Sequence, residues 1–178
     1  MVVINLILKY LKNTKNKIFI WAFIIVCVSL GVIYFGWSFA PGSYARAEIY
    51  EIELPEQELI EIINEIKVEN PILTLPQEMK NILKDGRLGR EQFDFWYHIY
   101  FYYPDKNQIV KTWTRAHTQT TTNFAFVAIN QGLTLGNWID VNKYFLWWKN
   151  KPIKEEFERR ILSKIKEKVN DKRKPNKR

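Results

Sequence analysis

The fold of this chain is decided by residues 92–130, which read QFDFWYHIYFYYPDKNQIVKTWTRAHTQTTTNFAFVAIN. Aromatic and β-branched residues dominate three runs within this stretch, at 92–103, 109–117 and 124–130. Such runs, separated by polar connections, are typical of β-strands joined by turns. The stretch therefore predicts an antiparallel meander of three strands, and residues 138–141 predict a short fourth strand.

The turn between the first two strands fixes how their side chains pair. A turn centred on Asp105 and Lys106 pairs residues whose numbers sum to 211, and this sorts the side chains onto two faces. One face is apolar and is expected to pack against helices: Phe93, Phe95, Tyr97, Ile99, Phe101, Val110, Thr112, Thr114 and Ala116. The other face sets Asp94 against His117, Trp96 against Arg115, His98 against Trp113, and Tyr100 against Lys111.

Helical patterns flank the meander on both sides. Residues 47–54 alternate like a strand, and an amphipathic helix is expected to follow from Pro55 to residue 69. Thr74 and Gln77 have capping-box spacing and predict a short helix. Pro152 is expected to open a last helix with an apolar stripe. The order is β-α-(short α)-β-β-β-(β)-α, which predicts an α+β domain with a three- to four-stranded antiparallel sheet packed against helices.

The N-terminal part of the chain has the pattern of a membrane anchor. Residues 18–40 form a run of 23 residues without a charge, long enough to span a bilayer. Trp21, Tyr34 and Trp37 are placed near its ends, as interfacial aromatic residues are. The run is preceded by Lys9, Lys12, Lys15 and Lys17. This lysine bias predicts a single-pass protein of the inner (cytoplasmic) membrane with a cytoplasmic N-terminus and an extracytoplasmic C-terminal domain.

Five segments follow from these patterns. They are a cytoplasmic basic segment at 1–17, the transmembrane helix at 18–40, a linker at 41–46, the α+β domain at 47–170 and a disordered basic tail at 171–178. The alternative is a cleaved signal peptide, because Ala45-Arg46-Ala47 has the small-x-small pattern of a cleavage site. Cys27 and Gly31 have the spacing of a small-residue helix contact, which leaves homodimerisation open.

The charge distribution argues against nucleic acid as a partner. Residues 1–17 carry four lysines, residues 45–148 carry 10 basic and 14 acidic side chains, and residues 149–178 carry 13 basic and 5 acidic ones. A basic excess split between the two ends differs from the single basic face of a nucleic-acid-binding domain. The basic C-terminal end has three interpretations: a solvated helix face, an attraction to the outer face of the same membrane or to anionic envelope polymers, or a contact with an acidic partner.

Catalytic chemistry has few residues to use. The chain has two histidines, His98 and His117, and one cysteine, Cys27, which lies in the apolar run, so no metal site or cofactor is expected. No glycine-rich phosphate loop or Gly-x-Ser-x-Gly turn is present. Asp94 and His117 are compatible with an acid–base pair of a hydrolase, but the sequence favours an ordinary cross-strand charge pair. The sequence therefore favours a non-enzymatic role.

The polar face of the hairpin is the candidate binding surface. It carries Trp96, Arg115, Trp113, Lys111, His98 and Tyr100. Aromatic and arginine side chains dominate protein-interaction hot spots, so the expected partner is an envelope or secreted protein. The alternatives are a ligand or a carbohydrate stacked on the same aromatic face, and an internal role in which residues 132–148 cover it.

Overall fold

A computed structural model describes residues 14–38, 44–87 and 95–173. The chain separates into two compact units, Met1–Ala45 and Arg46–Arg178. In the first unit, helix α1 spans Thr14–Ser38, and at 1.5 Å per residue it is about 37 Å long. Its apolar side chains are exposed around the whole circumference between Ile18 and Phe35. The segment Asn16–Trp37 is long and apolar enough to span a membrane or to serve as a signal sequence.

The second unit is an α+β domain with more strands than predicted. Its elements in chain order are β1 (Glu48–Ile52), α2 (Glu56–Glu69), a 3-10 turn (Pro71–Leu73), α3 (Gln77–Lys80), β2 (Gly86–Arg87), β3 (Tyr97–Tyr103), β4 (Gln108–Ala116), β5 (Thr122–Gln131), β6 (Trp138–Asp140), α4 (Trp147–Phe157), a π turn (Glu158–Leu162) and α5 (Ser163–Arg173). The antiparallel sheet has six strands, whereas the sequence predicted three or four.

Strands β1 and β2 extend the meander at its edges: β1 was predicted as a strand but not as part of the sheet, and β2 was not predicted. The meander β3-β4-β5-β6 forms as predicted, and the strand order across the sheet is β1-β5-β4-β3-β2. Strands β1 and β6 pair with the same side of β5, β1 with residues 122–126 and β6 with residues 128–130. They lie end to end along one edge of the sheet.

The predicted hairpin register is confirmed. His98 pairs with Trp113 and Tyr100 with Lys111, across a four-residue turn that contains Asp105 and Lys106. The expected core face is also largely confirmed, because Ile99, Phe101, Val110, Thr112 and Thr114 are buried.

The main core lies between this face and the helices. Leu59, Ile62 and Ile63 of α2 contribute to it from one side. Phe157, at the end of α4, stacks on Phe126 of β5 with 4.2 Å between ring centroids. The helices therefore bury the apolar face of the sheet, as the alternating pattern requires.

The C-terminal helix begins five residues earlier than the sequence predicted. Pro152 lies inside α4, whose first residue is Trp147. The first turn is held by the buried amide of Asn150, whose Oδ1 accepts from the Tyr144 N–H at 3.0 Å and whose Nδ2 donates to the Tyr144 carbonyl at 2.7 Å. These bonds stabilise the turn before the proline, which the sequence pattern does not reveal. The helix then continues through the π turn to Arg173, while residues 174–178 lie outside the described residues.

Residues 71–87 pass around the outer edge of β3, where β2 pairs with it, to the other face of the sheet. Leu75 and Met79 pack there against Tyr100 and Ile109 in a second, smaller core. The predicted capping box of Thr74 and Gln77 is wrong, because Pro76 precedes α3 and the Thr74 hydroxyl donates to the Pro71 carbonyl at 2.5 Å. The second face of the sheet is therefore partly covered by this segment.

Candidate functional site

The six predicted binding residues share one face of the sheet but differ in accessibility. His98, Tyr100 and Trp113 are buried, with exposed fractions of 2%, 3% and 5%. Trp96 and Lys111 are half-buried, and Arg115 is exposed. The face is therefore closed at Tyr100 and Trp113 and accessible at the end that holds Trp96 and Arg115.

The buried part of this face has a structural explanation. Leu75 and Met79 cover Tyr100, and Leu133 and Trp138 pack against the same small core. Lys111 lies beside it, with Nζ 5.9 Å from the centroid of the Trp138 ring, and burial lowers the pKa of its ammonium group. The alternative that residues 132–148 cover this face fits Leu133 and Trp138. It is wrong for Tyr144, Trp147 and Trp148, which are about half exposed or more: 48%, 66% and 53%.

The accessible part is a compact group of Phe95, Trp96 and Arg115, which we call the Arg115 patch. The Arg115 guanidinium carbon lies 5.3 Å from the centroid of the Phe95 ring. Phe95 and Trp96 meet edge to face at 87°, with 6.5 Å between centroids, and Trp96 rests against buried Trp113 at 6.4 Å. A cation over an aromatic ring is attracted by the ring quadrupole. The patch therefore presents an ordered aromatic and cationic surface.

Phe95 is the member that sequence reasoning missed. Strict alternation placed it on the core face and paired Arg115 with Trp96. Strand β3 begins only at Tyr97, so alternation does not apply to residues 95 and 96. Phe95 is 54% exposed and takes the position over Arg115 that was expected of Trp96.

The predicted pair of Asp94 and His117 remains a prediction, because Asp94 lies outside the described residues. His117 is exposed, and its backbone N–H donates to the Thr121 carbonyl at 2.9 Å in a tight threonine-rich turn. This position gives the imidazole contact with solvent rather than with a described cleft. Catalysis at His117 has no further support.

A cavity of about 330 Å³ opens beside Tyr100, the buried member of the predicted surface. It is lined by Lys67, Thr74, Leu75, Lys80, Leu83, Lys84, Asp85 and Tyr100. Lys67 forms a salt bridge with Asp85, and burial lowers the pKa of its ammonium group despite that partner. Asp85 also accepts the backbone N–H of Tyr100 at 2.9 Å. Sequence reasoning missed this cavity, although Lys67 is the single basic residue of α2 and was a usable signal.

The anchor residues were predicted from their spacing, and α1 contains most of them. Trp21 and Tyr34 are exposed at 64% and 58%. Lys17 is exposed, and Cys27 is a free, exposed cysteine. Lys9 and Lys12 lie outside the described residues, as does the side chain of Lys15. The ring of Trp37 is tilted relative to that of Tyr34, with 6.4 Å between the two ring centroids.

Comparison with family models, characterised proteins and solved structures finds no match. Among residues 14–38, 44–87 and 95–173, no group of three histidine, cysteine or acidic side chains is arranged to hold a metal ion. Within the part of the chain that the structure describes, the Arg115 patch and the lysine-lined cavity are two surfaces that could support a function.

Proposed function

We propose that this protein is a single-pass membrane protein whose C-terminal domain lies outside the cytoplasm and binds another envelope or secreted protein. Helix α1 supplies the anchor, and the proposed orientation rests on the lysine bias before residue 18. The role is non-catalytic. Both an accessory subunit of an envelope complex and an immunity-type protein that blocks an incoming toxin fit this description.

The observation that carries the proposal is the Arg115 patch. Its residues are not needed for the main core, which forms on the opposite face of the sheet. Phe95 and Arg115 are exposed, yet their side chains are held against each other and against Trp96. An ordered aromatic–arginine group loses little conformational freedom on binding, and such groups dominate interface hot spots.

The proposal is tested by affinity capture of the full-length protein from its native membrane, with Phe95→Ser and Arg115→Ser combined in one variant. Because both side chains are exposed, we expect the melting temperature to stay within a few degrees while the captured partner is lost. The matched control combines Ile72→Ser and Arg159→Ser, which are exposed elsewhere on the domain. This control should keep the partner. A patch variant that stays folded and still captures every partner would refute the proposal.

A second candidate function is supported by the cavity beside Tyr100. Three lysines and a leucine-rich wall favour a small anionic molecule with an apolar part over a neutral carbohydrate. A ligand that binds only the folded state raises its stability. Citrate should therefore raise the melting temperature of the full-length protein in detergent, and Lys80→Gln with Lys84→Gln should abolish the rise. An equal rise in the variant would exclude this site.

A further inference from the structure

A second exposed apolar surface is formed by the connection between β6 and α4 together with the first turn of α4. Five consecutive residues, Tyr144 to Trp148, are exposed by 48%, 41%, 37%, 66% and 53%. We call this segment, with Lys143, Lys149 and Lys151, the aromatic loop. Soluble proteins rarely expose so many adjacent large apolar side chains unless another surface covers them.

The aromatic loop is held in place by its own hydrogen bonds. Buried Asn150 bonds both backbone groups of Tyr144, at 3.0 and 2.7 Å. The Lys149 N–H donates to the Leu146 carbonyl at 2.9 Å, and Lys149 Nζ lies 5.8 Å from the centroid of the Tyr144 ring. The exposure of the aromatic side chains is thus built into a fixed conformation rather than a result of a loose loop.

The aromatic loop begins beside the residues at which the domain starts. The Asn142 N–H donates to the Arg46 carbonyl at 3.3 Å, and its side-chain amide donates to Glu48 at 3.0 Å. Lys154, behind the loop, also pairs with Glu48 at 3.1 Å. Strands β1 and β6 meet end to end at this position of the sheet edge. The start of the domain and the base of the aromatic loop are therefore adjacent.

The length of the linker limits how far the base of the aromatic loop can lie from the end of α1. Between Ser38, the end of α1, and Glu48, the start of β1, lie nine residues, 39–47. Even fully extended, the ten residue steps from Ser38 to Glu48 span at most about 36 Å. Whenever α1 spans a bilayer, the linker cannot carry the base of the aromatic loop farther than about this distance from the end of α1.

The chemistry of the aromatic loop matches a lipid surface. Tryptophan and tyrosine favour the headgroup level of a bilayer, and lysines beside them attract anionic lipids. Residues 141–154 contain four lysines and no acidic residue. We infer that the aromatic loop inserts into the interface of the membrane in which α1 is anchored, so that the domain has a second, monotopic contact with the same bilayer. The inference depends on the anchor of the proposed function, but not on the Arg115 patch.

The test uses full-length protein reconstituted in vesicles that contain anionic phosphatidylglycerol. In a Cys27→Ser background, Trp147→Cys carries an environment-sensitive fluorophore. The matched control is Ile72→Cys, because Ile72 and Trp147 have nearly equal exposed fractions of 68% and 66%. A third sample carries the fluorophore on the native Cys27 within α1.

We expect a quencher attached near the lipid headgroup to dim the label at position 147 about twofold or more, since interfacial segments insert about 5–10 Å. Aqueous iodide should quench the label at position 72 and spare the label at position 147. Replacing Lys143 and Lys149 by glutamine should weaken the lipid quenching in anionic vesicles and leave it unchanged in neutral ones.

Three results would overturn the inference, and they have different meanings. If Cys27 is quenched by a deep acyl-chain quencher while position 147 behaves like position 72, the anchor stands and the second contact is absent. If Cys27 is also unquenched by lipid, the anchor of the proposed function fails as well. If position 147 resists both iodide and lipid quenchers, a second copy of the chain covers the aromatic loop instead of lipid.

Discussion

Replacing Phe157 by alanine tests how the C-terminal helix is held on the sheet. Phe157 is fully buried and lies against three aromatic rings. It stacks on Phe126 at 4.2 Å and 14°, and the centroids of Tyr50 and Phe124 both lie 5.8 Å away. Its removal leaves a cavity at the centre of the main core, between the helix and strands β1 and β5.

The magnitude follows from this environment. Phe-to-Ala changes in protein cores lower the free energy of unfolding by about 3–5 kcal/mol. We expect the upper part of this range, because aromatic pairs contribute about 0.5–1.5 kcal/mol beyond the buried area. With a urea dependence of about 2 kcal/mol per molar, a loss of about 4 kcal/mol lowers the unfolding midpoint by about 2 M.

The assay is urea unfolding of the full-length protein in a mild non-ionic detergent, followed by far-ultraviolet circular dichroism and tryptophan emission. Phe145→Ala is the matched control, because Phe145 is 41% exposed and its loss should change the free energy of unfolding by no more than about 0.5 kcal/mol. A Phe157→Ala midpoint within about 0.3 M of the parent would show that the C-terminal helix does not pack on the sheet as described.

Three further predictions address single contacts. Asn150→Leu leaves both backbone groups of Tyr144 without the hydrogen bonds that Asn150 provides, so the free energy of unfolding should fall by about 2–4 kcal/mol. Hydrogen exchange at the Tyr144 amide should accelerate, and unchanged exchange would contradict the contact. Trp113→Thr should lower the free energy of unfolding by about 3–5 kcal/mol because Trp113 is 5% exposed, and an unaltered melting temperature would place this side chain on an open surface. Hydrogen bonds from Arg160 lower the pKa of the Asp105 carboxyl group in the folded state. This contact therefore stabilises the folded state above the ordinary carboxyl pKa of about 3.9, and the stabilisation is lost as the pH falls through the lowered pKa of the folded state. Asp105→Asn should therefore reduce the loss of stability on acidification, and parallel acid-unfolding curves for variant and parent would exclude this coupling.

The parts of the fold that depend on local pattern could be predicted from the sequence. Alternation through 97–103 and 108–116 and a four-residue turn are sufficient to fix the register of β3 and β4. The i, i+3, i+4 spacing of Leu59, Ile62 and Ile63 predicted α2 and its buried face. Both signals lie within one or two elements of the chain.

The parts that depend on distant contacts could not be predicted in this way. Strand β2 has two residues and no pattern of its own. The pairing of β1 with one edge of β5 joins residues that are 70 to 78 positions apart in the sequence. The early start of α4 depends on the side chain of Asn150, which an apolar periodicity does not report.

The candidate site shows the same division. The register correctly placed Trp113, His98 and Tyr100 on one face, but register carries no information on what covers a face. The cover of Tyr100 comes from Leu75 and Met79 in a segment that passes around the sheet edge. The position of Phe95 depends on where β3 begins, and the cavity depends on the space between elements, although Lys67 in α2 was a usable sequence signal for it.

The central claim, an extracytoplasmic domain on a membrane anchor, is tested most directly by labelling intact cells that express the protein with a membrane-impermeant maleimide. In a Cys27→Ser background, Val68→Cys reports on the domain, because Val68 is 78% exposed, and Lys9→Cys reports on the N-terminus. The account predicts that position 68 is labelled in intact cells, that position 9 is labelled only after permeabilisation, and that the full-length chain stays in the membrane fraction. Labelling of position 9 but not of position 68 in intact cells would contradict the orientation, and a shortened, soluble product labelled at position 68 would contradict the anchor.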